Sequence, residues 1–170
     1  TCALPIFMKV TFLGTGTSQG VPMIGCSCEV CKSSDPRDKR LRTSVMITHN
    51  GKNVVIDTGP DFRQQMLRHD VRTLEAVVYT HEHKDHIAGM DDIRAYNFHQ
   101  EKDMDLYATD AVEAALKRDF FYAFVHSDYP GIPKVKLQRI VPCKSFQLIG
   151  LEFLPFEVLH FRLPVTGFRI

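Results

Sequence analysis

Apolar positions in this chain form two kinds of pattern. Val10 and Phe12 alternate with Lys9 and Thr11, which predicts a half-buried first strand running into a glycine-rich turn from Gly14 to Gly20. Ser44 to Thr48 and Asn53 to Ile56 are β-rich runs flanking Asn50-Gly51, a hairpin signal. Glu75-Ala76-Val77-Val78-Tyr79 reads as a further strand, as do Lys134 to Ile140 and Phe146 to Leu159, with a turn near Gly150. Helical spacing appears in three places. Phe62, Met66 and Leu67 predict a short helix, and Asp91 to His99 predicts another helix or helical turn. Asp110-Ala111-Val112-Glu113 resembles a capping box with Asp as the cap, after which Val112, Leu116, Phe120 and Ala123 continue one apolar face. The aromatic cluster Phe120, Phe121, Tyr122 and Phe124 lacks an accompanying basic groove and is read as core. Tyr129-Pro130-Gly131-Ile132-Pro133 breaks the chain, and the charged stretch Asp35 to Arg40 reads as a solvated loop.

Composition narrows the class without naming a function. The 170 residues, 44% hydrophobic and 24% charged, suffice for one globular domain and show no signature of disorder. No apolar run approaches the ~20 residues of a membrane span, and no lysine-led signal segment is visible, so a soluble cytoplasmic protein with no membrane partner is expected. A net charge of +1 gives no broad attraction to nucleic acid or anionic lipid.

Chemistry concentrates after the strand that ends at Tyr79. Positions 81 to 86 hold His81, His83, Asp85 and His86, a density of nitrogen and oxygen donors suited to zinc or a similar divalent ion. A strand continuing through Thr80 would send His81 and His83 to one side, and the following turn would bring Asp85 and His86 toward a second point. One segment then serves two ions. The helical zinc-protease spacing His-Glu-x-x-His is absent, because Asp85 stands four after His81. Of five cysteines, Cys26, Cys28 and Cys31 lie within six positions, a spacing that favours convergence on one structural zinc over a disulfide framework. Cys143 reads as a buried thiol, and His99 and His126 as histidines without ligand spacing. The glycine loop can bring backbone N–H groups near a phosphate but matches neither standard nucleotide-binding motif.

The pattern His-x-His-x-Asp-His after a strand resembles the signature loop of the metallo-β-lactamase-fold hydrolases. Phe12-Leu13-Gly14-Thr15-Gly16-Thr17-Ser18-Gln19-Gly20-Val21-Pro22, with Gly25-Cys26-Ser27-Cys28-Glu29-Val30-Cys31, is similar within that superfamily to the phosphoribosyl cyclic phosphodiesterases. The resemblance implies an α+β fold, the αββα sandwich, with residues 8–170 forming its N-terminal two-thirds and the C-terminal part missing. It implies that His160, closing the run Phe156-Glu157-Val158-Leu159, joins His81 and His83 on one ion. Asp85 and His86 would sit on the second, Asp85 orienting the nucleophile site, and Asp57 would support the loop by hydrogen bonding without being a ligand. A helix N-cap before Pro60-Asp61-Phe62 is a role of Asp57 compatible with that one, and Arg94 is a candidate phosphate clamp beside the alternative of an ion pair with Asp91 or Asp92.

The expected cofactors are two active-site divalent ions, zinc or manganese, roughly 3.5–4 Å apart, plus the structural zinc. The expected reaction is hydrolysis of a small phosphodiester, such as a cyclic ribose phosphate, by a metal-activated hydroxide; a homodimer is the expected assembly. An RNA-processing nuclease of the same superfamily and a non-catalytic zinc-binding fragment are the alternatives. Residues 1–7 do not belong to the motif pattern, and Thr1 to Ile6 read as a non-native extension translated from a sequencing adapter, which leaves Cys2 without chemistry.

Overall fold

The computed structural model describes residues 8–125 and 129–170, so the expectations for the 1–7 extension, Cys2 and His126 lie outside the described residues. Among the described residues, nine strands form two sheets. The larger contains β1 (Met8–Gly14), β2 (Ser44–His49), β3 (Lys52–Ile56), β4 (Ala76–Val78), β5 (Met104–Ala108) and β6 (Val135–Arg139), in that spatial order. Its first three strands pair antiparallel, β2 and β3 through the Asn50-Gly51 turn, and β3 to β6 are parallel. The smaller sheet is an antiparallel meander of β7 (Phe146–Leu148), β8 (Leu151–His160) and β9 (Leu163–Arg169).

Period-two alternation divides the central strands between two cores, which is why they read as nearly continuous apolar runs. Val55, Val77, Met104 and Leu106 face one core with the buried residues of α2 (Phe62–Arg68), α3 (Lys84–Ile87), α4 (Arg94–Gln100) and α5 (Asp110–Asp119), whereas α1 (Glu29–Lys32) buries none. Val54, Ala76, Val78 and Tyr107 face the other, where Phe153 of the small sheet is fully buried. Phe146 stacks on both Tyr107 and Phe153, at centroid separations of 4.8 and 5.4 Å, and so joins the sheets. The described residues thus supply one helical layer and two sheet layers of the expected sandwich. No described helix is long and apolar enough to cross a membrane.

Several local expectations change. β5 is a strand that the pattern does not reveal, because it is five residues between two helices and Asp105 interrupts its apolar run. Asp110 is not the cap of α5: Thr109 has the extended backbone of the cap, and Asp110, one residue later, pairs with Arg139. Phe120 is buried as expected, whereas Phe121 is largely exposed. Cys143 is exposed, since it occupies a left-handed position (φ 62°) in the turn between β6 and β7. The charged stretch 35–40 is the solvated loop expected, with four of its six residues exposed and none buried, and Arg40 joins it to Val21 by paired backbone hydrogen bonds of 2.8 and 2.9 Å.

Candidate metal centre

β3 and β4 run parallel with Ile56 opposite Val78, so the residues that follow them emerge side by side. Open parallel sheets place ligand sites beyond these carboxyl ends. The first residue after β3 is Asp57, in a left-handed conformation (φ 66°) that few non-glycine residues adopt. Its backbone is clamped there: its N–H donates to Val78 O at 3.0 Å, and its carbonyl accepts from Ser44 Oγ at 3.0 Å. The carboxylate consequently points at the neighbouring loop. It accepts from Thr80 N–H (2.8 Å), Thr80 Oγ1 (2.7 Å) and His86 Nδ1 (2.7 Å). These bonds leave no capping role for Asp57, and the residue preceding α2 is Asp61, whose carboxylate holds Arg42.

The loop itself departs from the extended strand expected. β4 ends at Val78, His83 is the extended residue before a single helical turn, α3 (Lys84–Ile87), and the turn carries Asp85 and His86 back toward His81. The ring centroids of His81 and His83 are 4.7 Å apart, and those of His81 and His86 are 4.0 Å apart. His81 Nε2 approaches His83 Nδ1 to 3.2 Å, while Asp85 Oδ2 lies 3.3 Å from His86 Nε2. His160, the last residue of β8, brings its ring to 6.0 Å from His81 and 5.9 Å from His83. All five side chains line one cleft of about 950 Å³.

Hydrogen bonding fixes which nitrogens face the cleft. Thr80 Oγ1 engages His81 Nδ1 at 2.9 Å, and Asp57 engages His86 Nδ1, so Nε2 is the outward donor of both rings. Such partners orient metal-binding imidazoles. Burial, followed by the repulsion of His86, lowers the His81 pKa to about 4, which leaves a neutral ring with an available lone pair at neutral pH. For His86 burial acts in the same direction but is outweighed by the hydrogen bond and charge of Asp57 together with Asp85, and its pKa is raised. The imidazole and carboxylate groups of this cleft are the donor types a divalent cation takes, but among the described residues no three of their ligand atoms lie within 4.8 Å of one another.

Loop packing requires two glycines. A Cβ on Gly89 would stand 2.2 Å from Gly59 O, and one on Gly59 would stand 2.3 Å from Asp85 O. Gly89 N–H donates to Thr58 O at 2.8 Å in the same contact. Beneath it the fully buried Tyr79 hydroxyl meets Thr58 Oγ1 at 2.8 Å, and burial raises its pKa well above the usual phenol range.

The sulfurs of Cys26, Cys28 and Cys31 form a separate cluster, all within 4.8 Å of one another. The Cys31 backbone N–H and the neighbouring thiols lower the pKa of Cys28. Met23 N–H acts the same way on Cys31, but Cys26, Cys28 and burial outweigh it and raise that thiol. Cys28 is thus the more acidic thiol of the three sulfurs, whose convergence fits a single cation.

Residues 52–170 match the family described as the Beta-lactamase superfamily domain. The chain belongs to the β-lactamase superfamily. It is 42% identical to a solved diphosphatase from the PhnP family, with a TM-score of 0.86, over 96% of this chain and 62% of that one. It is 44% identical over 164 residues to an Octanoyltransferase of Porphyromonas gingivalis, a match covering 96% of this chain and 33% of that protein. Zn(2+)-bound PqqB from Methylobacterium extorquens shares the fold, with 24% identity and a TM-score of 0.72 over 89% of this chain and 52% of that one. The chain therefore spans a third of the octanoyltransferase and less than two thirds of the diphosphatase. A name that belongs to the whole of a protein three times as long does not pass to this segment.

Within this β-lactamase superfamily domain the structure gathers His81, His83, Asp85, His86 and His160, with Asp57 behind them. Arg94 is elsewhere: its guanidinium pairs with Asp91 at 2.9 Å and reaches Gly131 O at 3.4 Å, and it does not line the cleft. The ion pair within one helical turn explains its position. His99 faces a groove between α2 and α4, away from the histidine cluster. Sequence reasoning missed Thr80, which links Asp57 to His81, because a threonine before a histidine carries no distinguishing spacing.

Proposed function

We propose that the full-length protein is a metal-dependent phosphoesterase whose substrate is a small cyclic phosphodiester of ribose. The convergence of five imidazole and carboxylate side chains on one cleft carries this reading. The 42% identical relative described as a diphosphatase supports phosphoester chemistry over lactam or acyl chemistry. His81, His83 and His160 would hold one divalent ion, and Asp85 and His86 would serve a second. When bound, such ions neutralise charge building on phosphate oxygens and make water acidic enough to supply a nucleophile near neutral pH.

The chain's own residues organise this site. Thr80 and Asp57 set the ring orientations of His81 and His86, and the carboxylate of Asp85 stands beside His86 Nε2 to complete a mixed nitrogen and oxygen donor set. No Lys or Arg is among the described residues lining the cleft, which favours a small substrate over an RNA chain with successive phosphates. Loading the full-length protein with zinc or manganese, quantifying the metal, and assaying cyclic ribose phosphate, RNA and octanoyl substrates tests the reading. Cyclic ribose phosphate should be cleaved, with at least a hundredfold loss in His83→Ala. Activity unchanged in that variant, or preference for RNA, would overturn it.

A further inference from the structure

The cleft has two unlike walls. Metal-ligand candidates form one, and the other is built by the glycine-rich loop and the start of β2, which present Thr17, Ser18, Thr43 and Ser44. Their hydroxyls are not equivalent. Thr43 Oγ1 donates to Gly16 O at 2.8 Å, and Ser44 Oγ shares its proton between Ile56 O and Asp57 O, each at 3.0 Å. Both protons are therefore engaged by backbone. Thr17 Oγ1 only accepts, from Gln19 N–H at 3.3 Å, which leaves its own proton free. Ser18 enters the bonding network through its carbonyl, and its hydroxyl makes no hydrogen bond among the described residues.

The backbone under these two hydroxyls is fixed. Ser18 O accepts from Arg42 Nε at 2.9 Å, Thr17 O accepts from Gly20 N–H at 2.9 Å, and Gly16 N–H donates to Leu41 O at 2.8 Å. Arg42 is held in turn by Asp61, at 2.9 Å. Free donors on a pinned loop bind a ligand with little ordering penalty. None of the four residues lining this wall is charged, and the Arg42 cation behind Ser18 is paired with Asp61, so the wall suits a neutral hydroxyl-bearing group better than a second phosphate.

We propose that Thr17 and Ser18 form a sugar-hydroxyl subsite that sets specificity, holding the ribose ring while its phosphodiester faces the histidine wall. The inference rests on the phosphoesterase reading for its catalytic consequence, but the subsite can be tested without catalysis. Each hydroxyl can both donate to and accept from a ribose hydroxyl, and neutral bonds of this kind together contribute about tenfold or more in kcat/KM.

The test compares the wild-type full-length protein with a Thr17→Val/Ser18→Ala double variant. In metal-free protein, saturation-transfer NMR with methyl β-D-ribofuranoside should show transfer to the sugar protons in the wild type and its loss in the variant. In metal-loaded protein the variant should lose about tenfold or more in kcat/KM on cyclic ribose phosphate. Its turnover of bis(p-nitrophenyl) phosphate, which has no sugar, should change less than about twofold. Metal content should be unchanged. Wild-type transfer without any phosphodiester hydrolysis would overturn the proposed function and leave the subsite standing. Cleavage of cyclic ribose phosphate equal in wild type and variant, equal losses on both substrates, or no transfer in the wild type would overturn the subsite.

Discussion

At the residue scale the histidine loop is held by one buried carboxylate. Asp57 accepts three hydrogen bonds, from Thr80 N–H, Thr80 Oγ1 and His86 Nδ1, in a backbone conformation that Asn also tolerates. Asp57→Asn therefore removes charge and one acceptor with little strain, and is expected to weaken metal binding by about 10–100-fold in a competitive chelator titration. The cysteine cluster gives a second prediction. Cys28→Ser should lower bound zinc by one equivalent per chain while the histidine-held metal remains, as read by elemental analysis, because the sulfurs converge only on one another. Both clusters were legible in the sequence, since ligand-type residues crowd into short spans. Arg94 follows the ion-pair alternative, because a guanidinium takes the carboxylate one helical turn away, whereas Cys143 was misplaced because a lone cysteine has no neighbours that reveal its burial.

At the element scale the histidine loop works because it packs backbone against backbone. Gly59 and Gly89 let the turn after β3 and the end of the loop approach within ordinary main-chain distance, and α3 is braced further by the Lys84–Asp119 pair. Gly89→Ala would place its Cβ 2.2 Å from Gly59 O, which cannot rotate away as a side chain would. Overpacking of this kind costs about 1–3 kcal/mol, so the variant should show a lower urea midpoint with an unchanged slope. It should also bind metal more weakly, since the displaced segment carries Asp85 and His86; normal affinity would show that the loop closes without this contact. Periodicity revealed the strands with long apolar runs, but gave no sign that β4 would stop at Val78 and pass its histidines to a turn. That change comes from tertiary contact with Asp57, twenty or more residues earlier.

At the scale of the whole molecule the donor set is assembled from both sheets. His81 to His86 follow the large sheet, whereas His160 arrives on β8 of the small one, so their separation depends on how the sheets dock. The contacts that hold that docking include the stack of Tyr107, Phe146 and Phe153, and the Thr166 N–H bond to Thr80 O at 2.9 Å beside the histidines. Alternation in the sequence showed which residues turn inward, but not that β8 would carry His160 to the loop. Phe153→Ala tests the coupling. Phe153 is fully buried, and truncating such a side chain costs about 3–5 kcal/mol in urea unfolding. Because the cavity lies on β8 while Asp85 and His86 are held by Asp57 on the large sheet, the two metal sites should respond unequally. Stepwise titration should show weaker binding at the site that uses His160 and nearly wild-type binding at the Asp85–His86 site. Equal weakening at both would mean that the sheets yield together, and that Thr166 rather than the aromatic stack governs the position of His160.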